Sequence, residues 1–321
     1  MNPENLKETL MKSRPNAKDN TIKMYEANLK KLQTLAGEPK GYDFLKKPDD
    51  VMKLIEDKHF TTIRNYINAI IILLMALNHK EEYDKLLKDY LKIRDDLSQQ
   101  YDDQNSSGKI SEKQAKSFVP LKDVVDMINR MGDDLKGYKK KKELNPKEMM
   151  LLQVYIIFQI HIRLPMRNDL SGAEAIPKRI YNGLSEDDKK AKNYLVVEKA
   201  KMWFVLNKFK TSAKYEELRF DVPKDLEKLL RSYLKINGMG VLFKSSTGKA
   251  LSRNQLTQTL IKYSKRYMDG KSISTTMLRK IVLSDLFSEK NKAQKNMAKI
   301  TGHSVETMNE IYIKDKPEGD E

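Results

Sequence analysis

Near the end of the 321-residue chain, the run Thr301-Gly302-His303-Ser304-Val305-Glu306-Thr307-Met308-Asn309-Glu310-Ile311-Tyr312 sets a tyrosine nine positions after a histidine. The Gly-His-Ser lead-in reads as a turn that opens a short helix. Two arginines far upstream, Arg167 and Arg279, lie in segments that suit a phosphate site. A phenol held beside an imidazole and guanidinium groups is equipped to attack a phosphodiester. The phenol is the nucleophile, and the cations offset charge that builds on the phosphate oxygens. Each residue also has an ordinary explanation. Tyr312 is one of 15 tyrosines and suits the apolar face of an amphipathic helix, His303 suits a satisfied surface turn, and Arg167 suits a salt bridge at a helix start.

Bulk composition agrees with a polyanionic partner. Lysine and arginine number 61 against 45 acids, a formal net charge of +16. Nucleic acid is the commonest partner for such an excess, and a solvated lysine-rich surface is the alternative. Cysteine is absent, which removes disulfides, thiolate catalysis and cysteine-ligated zinc. The four histidines, His59, His79, His161 and His303, show no metal-ligand spacing, so neither a metal nor another cofactor is expected. The N-terminal Met-Asn-Pro-Glu-Asn-Leu-Lys lacks the apolar core of a signal peptide, and the apolar run 67–77, broken by Asn68, is short for a bilayer. The expectation is a soluble, intracellular protein with no membrane partner.

The first hundred residues read as helices only. Ile22, Tyr25, Leu29 and Leu32 recur at helical spacing after Asn20 or Thr21, with Gly37 as the stop. Pro48-Asp49-Asp50 opens a short helix, Thr61-Thr62 caps a strongly apolar one, and a fourth spans about 80–101. These predict a four-helix N-terminal bundle over residues 1–104. Residues 102–109 are polar and rich in Ser, Asn and Gly, so 105–117 is expected as a linker and 118–321 as a second domain. There, Asn145-Pro146 launches an apolar helix that ends before Pro165. Three strand-like segments, 194–198, 201–207 and 215–222, predict a small antiparallel meander. Helices follow over 224–236, 253–268, 275–288, 290–300 and 305–313. The fold class is mainly α with a small antiparallel sheet.

This combination resembles the tyrosine recombinases, the phage-type integrases, over nearly the whole chain. Ile162-Arg163-Leu164-Pro165-Met166-Arg167-Asn168-Asp169-Leu170 is similar to that family's first arginine box, with Arg167 as the phosphate-binding guanidinium, Asp169 orienting it from behind and Arg163 as the rival. Lys208-Phe209-Lys210-Thr211-Ser212-Ala213-Lys214 resembles its hairpin lysine. Lys210 would protonate the leaving oxygen there, with Lys208 and Lys214 as rivals. Thr275-Thr276-Met277-Leu278-Arg279 resembles its second box, except that Thr276 stands where the family carries histidine or lysine. Thr276 either gives a phosphate hydrogen bond or caps the helix. His303 and Tyr312 complete the set.

The resemblance implies a core-binding bundle and a catalytic domain closing around double-stranded DNA as a clamp, with Lys109, Lys113 and Lys116 near the linker as backbone contacts. It implies strand cutting through a 3′-phosphotyrosyl bond, rejoining without metal or ATP, and a homo-tetramer on two synapsed sites. Such an enzyme works where DNA is accessible, in a prokaryotic cytoplasm, a host nucleus or a viral replication site. The abundant Lys, Asn and Ile fit an A/T-rich genome such as that of a mobile element. Two other readings stay open. One is a type IB topoisomerase, which uses a similar residue set to nick and reseal one duplex. The other is a catalytically inactive DNA-binding relative, which the Thr276 substitution favours.

Overall fold

The computed structural model describes residues 3, 5–77, 81–106, 108–141, 143–212, 217–302 and 304–312, without the side chains of residues 81, 82, 113, 139, 140, 310 and 312. The chain is mostly helical with a small mixed sheet, and it divides into two compact units, Met1–Ile110 and Ser111–Glu321.

The first unit holds α1 (Leu6–Ser13), α2 (Asp19–Leu35), a 3₁₀ turn (Asp43–Lys46), α3 (Pro48–Ile55), α4 (Phe60–Leu77) and α5 (Glu81–Ser106). Helix α1 adds to the four expected. It is short, but Asn5 caps it and Leu10 anchors it in the core. Helix α4 begins at Phe60, so its 18 residues are apolar and long enough to cross a bilayer, where the run 67–77 alone looked too short. Ile63, Ile67, Ile70, Ile71 and Leu74 are buried in this unit's core, packed among α1, α2 and α5. Tyr90 on α5 donates a hydrogen bond to the Leu45 carbonyl at 2.8 Å and pins the 3₁₀ turn.

The segment expected as a linker is partly helical. Helix α5 continues through Ser106, helped by Gln99 donating to Asp103 at 2.9 Å, and α6 (Glu112–Ala115) starts at a reciprocal cap between Ser111 and Gln114. Residues 102–106 are polar but contain neither glycine nor proline, so nothing there breaks the helix before Ser106.

The second unit continues with α7 (Leu121–Leu135), α8 (Pro146–Arg163), β1 (Glu174–Pro177), α9 (Lys178–Asn182), α10 (Glu186–Ala191), β2 (Tyr194–Val197), β3 (Met202–Leu206), β4 (Leu218–Asp221), α11 (Lys224–Asn237), β5 (Gly240–Val241), α12 (Arg253–Tyr267) and α13 (Thr275–Thr301). The sheet is five-stranded and mixed, in the order β4-β3-β2-β1-β5, rather than a three-stranded meander. Strands β2, β3 and β4 pair antiparallel, Leu195 facing Phe204 and Phe204 facing Phe220. The additional strand β1 runs parallel to β2, joined to it through α9 and α10, and β5 pairs antiparallel with β1. A four-residue strand ending in proline has no sequence period, so its pairing depends on a partner twenty residues away. Both sheet faces are covered. Ala175, Leu195, Met202 and Phe204 join the main core, while Tyr194, Val196, Trp203 and Val205 meet Tyr181 and Leu184 on the other side. That double burial explains the unbroken apolar runs of β2 and β3.

Residues 275–301 form one continuous helix, where sequence punctuation suggests two. Ser288-Glu289-Lys290-Asn291-Lys292 is polar, but it contains neither glycine nor proline to break the backbone. The first turns of α13 are embedded through Thr275, Leu278, Ile281 and Val282, and Ala298 is buried near its far end. Beyond the first turns Leu286, Phe287, Met297 and Ile300 are exposed.

Candidate active site

The site is organised by the turn that follows α8. Asn145 accepts from the Lys147 and Glu148 amides and the Glu148 carboxylate reaches back, so α8 starts at a defined register with Pro146 at its first position. Pro165 disfavours helical backbone at Leu164, where the chain leaves the helix at φ −127°, ψ 82°. Arg167 follows in extended backbone, then Asn168–Leu170 make a 3₁₀ turn whose Asp169 and Leu170 are buried.

Two asparagines fasten this turn to distant segments. The Asn168 amide donates to the Arg253 carbonyl at 3.3 Å and to the Thr257 hydroxyl, while its Oδ1 accepts from the Thr275 hydroxyl, so one side chain ties together the N-terminal ends of α12 and α13. Asn193, buried at the start of β2, donates to the Asp169 carbonyl at 2.6 Å and to the Lys208 carbonyl at 3.0 Å. Its Oδ1 accepts from the Asn207 and Lys208 amides at 2.8 and 2.7 Å. The backbone leaving β3 is thereby fixed to the arginine turn, with Phe209 buried and Lys208 and Lys210 exposed. Lys214 lies outside the described residues.

Arg167, exposed after the turn, lies within electrostatic reach of the half-buried Arg279. Burial and the neighbouring Arg167 charge push the Arg279 guanidinium below its ordinary value, and Asp169 pulls it back up. Neither arginine makes a hydrogen bond or ion pair among the described residues. The rival Arg163 is engaged elsewhere, donating to Asp225 at 2.6 Å and to Gln159. Asp169 does not hold Arg167 directly. Its Oδ1 accepts from Arg253 at 3.3 Å, a residue that no sequence motif marks out. Burial raises the Asp169 carboxyl above the usual carboxylate range, against the pull of Arg253, Arg167 and Arg279. The cap of α13 is Ser274, which accepts from the Met277 amide at 3.1 Å, so capping is not the role of Thr276. That residue is exposed in the first turn, and its neighbour Thr275 is the buried one.

The C-terminal segment stands apart from this cluster. From Arg279 to Thr301 the continuous α13 rises roughly 33 Å along its axis. Gly302 ends it in a left-handed conformation at φ 71°, and Ser304 then caps a short helix by accepting from the Thr307 amide at 3.0 Å. A π-helical turn, Met308–Tyr312, follows, with Met308 buried and Gln294 donating to Asn309 at 3.3 Å. A short helix opens after Ser304, as expected. His303 and the Tyr312 side chain lie outside the described residues.

Chemically, two guanidiniums lie in the field of one buried carboxylate that Arg253 already engages. Excess positive charge of this kind is suited to an oxyanion, and two planar forks match phosphate or sulfate. A separate concavity of 570 Å³, lined by Asp123, Asp126, Asp133 and Asp269 with Arg130 and Lys271, has the opposite character and repels anions. No protein-family model matches the chain, and no curated protein is similar to it.

Proposed function

We propose that the chain is a tyrosine recombinase, built as a core-binding bundle and a catalytic domain that cut and rejoin double-stranded DNA. The observation that carries this reading is the unpaired couple Arg167 and Arg279, drawn from segments over a hundred residues apart into each other's field beside the anchored lysine-bearing loop. In the reaction, the Tyr312 oxygen forms a bond to phosphorus as the bond to the 5′ oxygen breaks, leaving a 3′-phosphotyrosyl link. The phenol proton passes to water, and the departing oxygen takes one from Lys210. Arg167, Arg279 and His303 bind the phosphate oxygens, and Thr276 adds a hydroxyl. A 5′-hydroxyl of a partner strand reverses the sequence, so the bond energy is conserved without ATP. Four protomers on two DNA sites would carry the exchange.

The reading requires the end of α13 to return to the arginines. A break within Ser288-Glu289-Lys290-Asn291-Lys292 would fold the exposed Met297 and Ile300 face inward and carry Gly302–Tyr312 with it. Incubation with a nicked suicide duplex should trap a covalent protein–DNA adduct, absent in Tyr312→Phe. An adduct that survives Tyr312→Phe refutes the nucleophile. The continuous α13 and Thr276 favour a second reading, a DNA-binding relative without cleavage activity. Tight DNA binding by the wild type with no adduct would select it.

A further inference from the structure

His161 sits near the end of α8 with its imidazole wholly enclosed, 0% exposed. Its Nδ1 lies 2.8 Å from the Ile157 carbonyl one turn earlier. A carbonyl only accepts, so Nδ1 carries the proton whenever the ring is neutral. Nε2 is then a bare lone pair, buried and without a partner among the described residues. The main-chain carbonyl of Arg167, another acceptor, lies beside the same ring. A buried acceptor left unpaired is costly, and an imidazolium would satisfy both carbonyls at once.

What opposes that proton is also visible. Burial first, and then the Arg279 guanidinium, hold the ring below the ordinary imidazole value, against the two carbonyls. The charged groups around it are few. Arg279 comes from α13, Arg167 and Asp169 from the turn after α8, and Arg253, from α12, is paired with Asp169. Asp225 of α11 is occupied by Arg163 on α8 itself. Helix α7 contributes the apolar Val124, Met127, Ile128 and Met131 to this core. Asp169, already engaged by Arg253, is the one carboxylate in this group and offsets the two arginine charges only in part.

We propose that His161 is a positioning residue that takes up one proton when an anion settles between Arg167 and Arg279, closing an Nε2–H bond onto the Arg167 carbonyl and locking the turn that carries that arginine. This rests on the reading of the arginine couple as an oxyanion site. The proton comes from the buffer and returns to it when the anion leaves, and no bond to the anion is made or broken. The anion's charge cancels the repulsion from Arg279, so the ring binds its proton more tightly in the complex than in the empty protein. Anion affinity therefore falls by up to about tenfold per pH unit as pH rises through the ring's value in the complex. Below the ring's value in the empty protein, where it is protonated in both states, affinity stops changing.

Sulfate is the probe, because its charge is constant through the neutral range and any linked proton belongs to the protein. Titration of the full chain by calorimetry in buffers of different ionisation enthalpy counts protons, and imidazole ¹⁵N spectra report the tautomer directly. The expected result is uptake approaching one proton per sulfate, with Nε2 of His161 moving from the unprotonated to the protonated range. The ring is identified by its loss in His161→Gln. If that variant does not fold, elimination through His59→Gln, His79→Gln and His303→Gln identifies it in the folded protein. In His161→Gln the affinity should be flat with pH. Sulfate binding that is lost in Arg279→Gln but leaves His161 as the Nδ1–H tautomer overturns the proposal and spares the anion site. Proton uptake that persists in His161→Gln overturns it as well. Binding indifferent to Arg279→Gln, or no binding, removes the anion site itself.

Discussion

Asn193→Ala tests how far a single side chain holds the arginine-bearing turn. Its amide makes four hydrogen bonds, two donated to the carbonyls of Asp169 and Lys208 and two accepted from the amides of Asn207 and Lys208, all between 2.6 and 3.0 Å. Net contributions of about 0.5–1.5 kcal/mol each give a total near 4 kcal/mol. Water can reach the exposed Lys208 end but not the buried Asp169 end, which lowers the expected loss to about 3 kcal/mol. For a unit of this size that is a fall of roughly 6–12 °C in Tm. Trp203 is the only tryptophan and is buried in β3, so its fluorescence during urea unfolding follows this unit and not the N-terminal one. Asn193→Asp should be at least as damaging, since it keeps both acceptor contacts but sets a carboxylate against two carbonyls. A loss under about 1 kcal/mol for Asn193→Ala would refute the claim that this side chain fastens the lysine loop to the arginine turn.

Three further outcomes follow from the same geometry. Arg167→Lys and Arg279→Lys keep the charge but lose the planar fork, so each should weaken sulfate binding about tenfold with unfolding stability near wild type; equal affinity would argue against two-pronged anion contacts. Because burial raises the native Asp169 carboxyl above its unfolded value, the native state holds that proton more tightly. Its stabilising contribution is full below the unfolded value of about 4 and is lost as pH rises through the native one. The stability of wild type relative to Asp169→Asn should therefore grow on acidification, and a difference constant from pH 7 to 3 would contradict the assigned cause. Gly302→Ala forces a side chain into φ 71° and should cost about 1 kcal/mol, seen as faster amide exchange in the last turn of α13; unchanged exchange would show that the glycine is dispensable there.

Much of the scaffold was legible locally. Recurrence of Ile22, Leu29 and Leu32, the Pro48 start, the Asn145-Pro146 launch and the runs that become β2 and β3 are each fixed by neighbours within a few residues, which is where helical period, capping and strand preference operate. Arg167 and Arg279 were legible as candidates for the same reason: each stands in a short segment of recognisable type. Their shared neighbourhood was expected only from the family resemblance, because nothing local specifies that Asn168 and Thr275 find each other across 107 residues. The same lack of a local signal holds for the pairing of β1 with β2, for Asn193 as a fastener, for Arg253 as the partner of Asp169 and for the unpaired nitrogen of His161. Sequence alone determined which segments could be helices or strands and which side chains carry useful chemistry. Only the tertiary structure decided which charges share a buried neighbourhood, because desolvation and Coulombic coupling are set by distance in space and not along the chain.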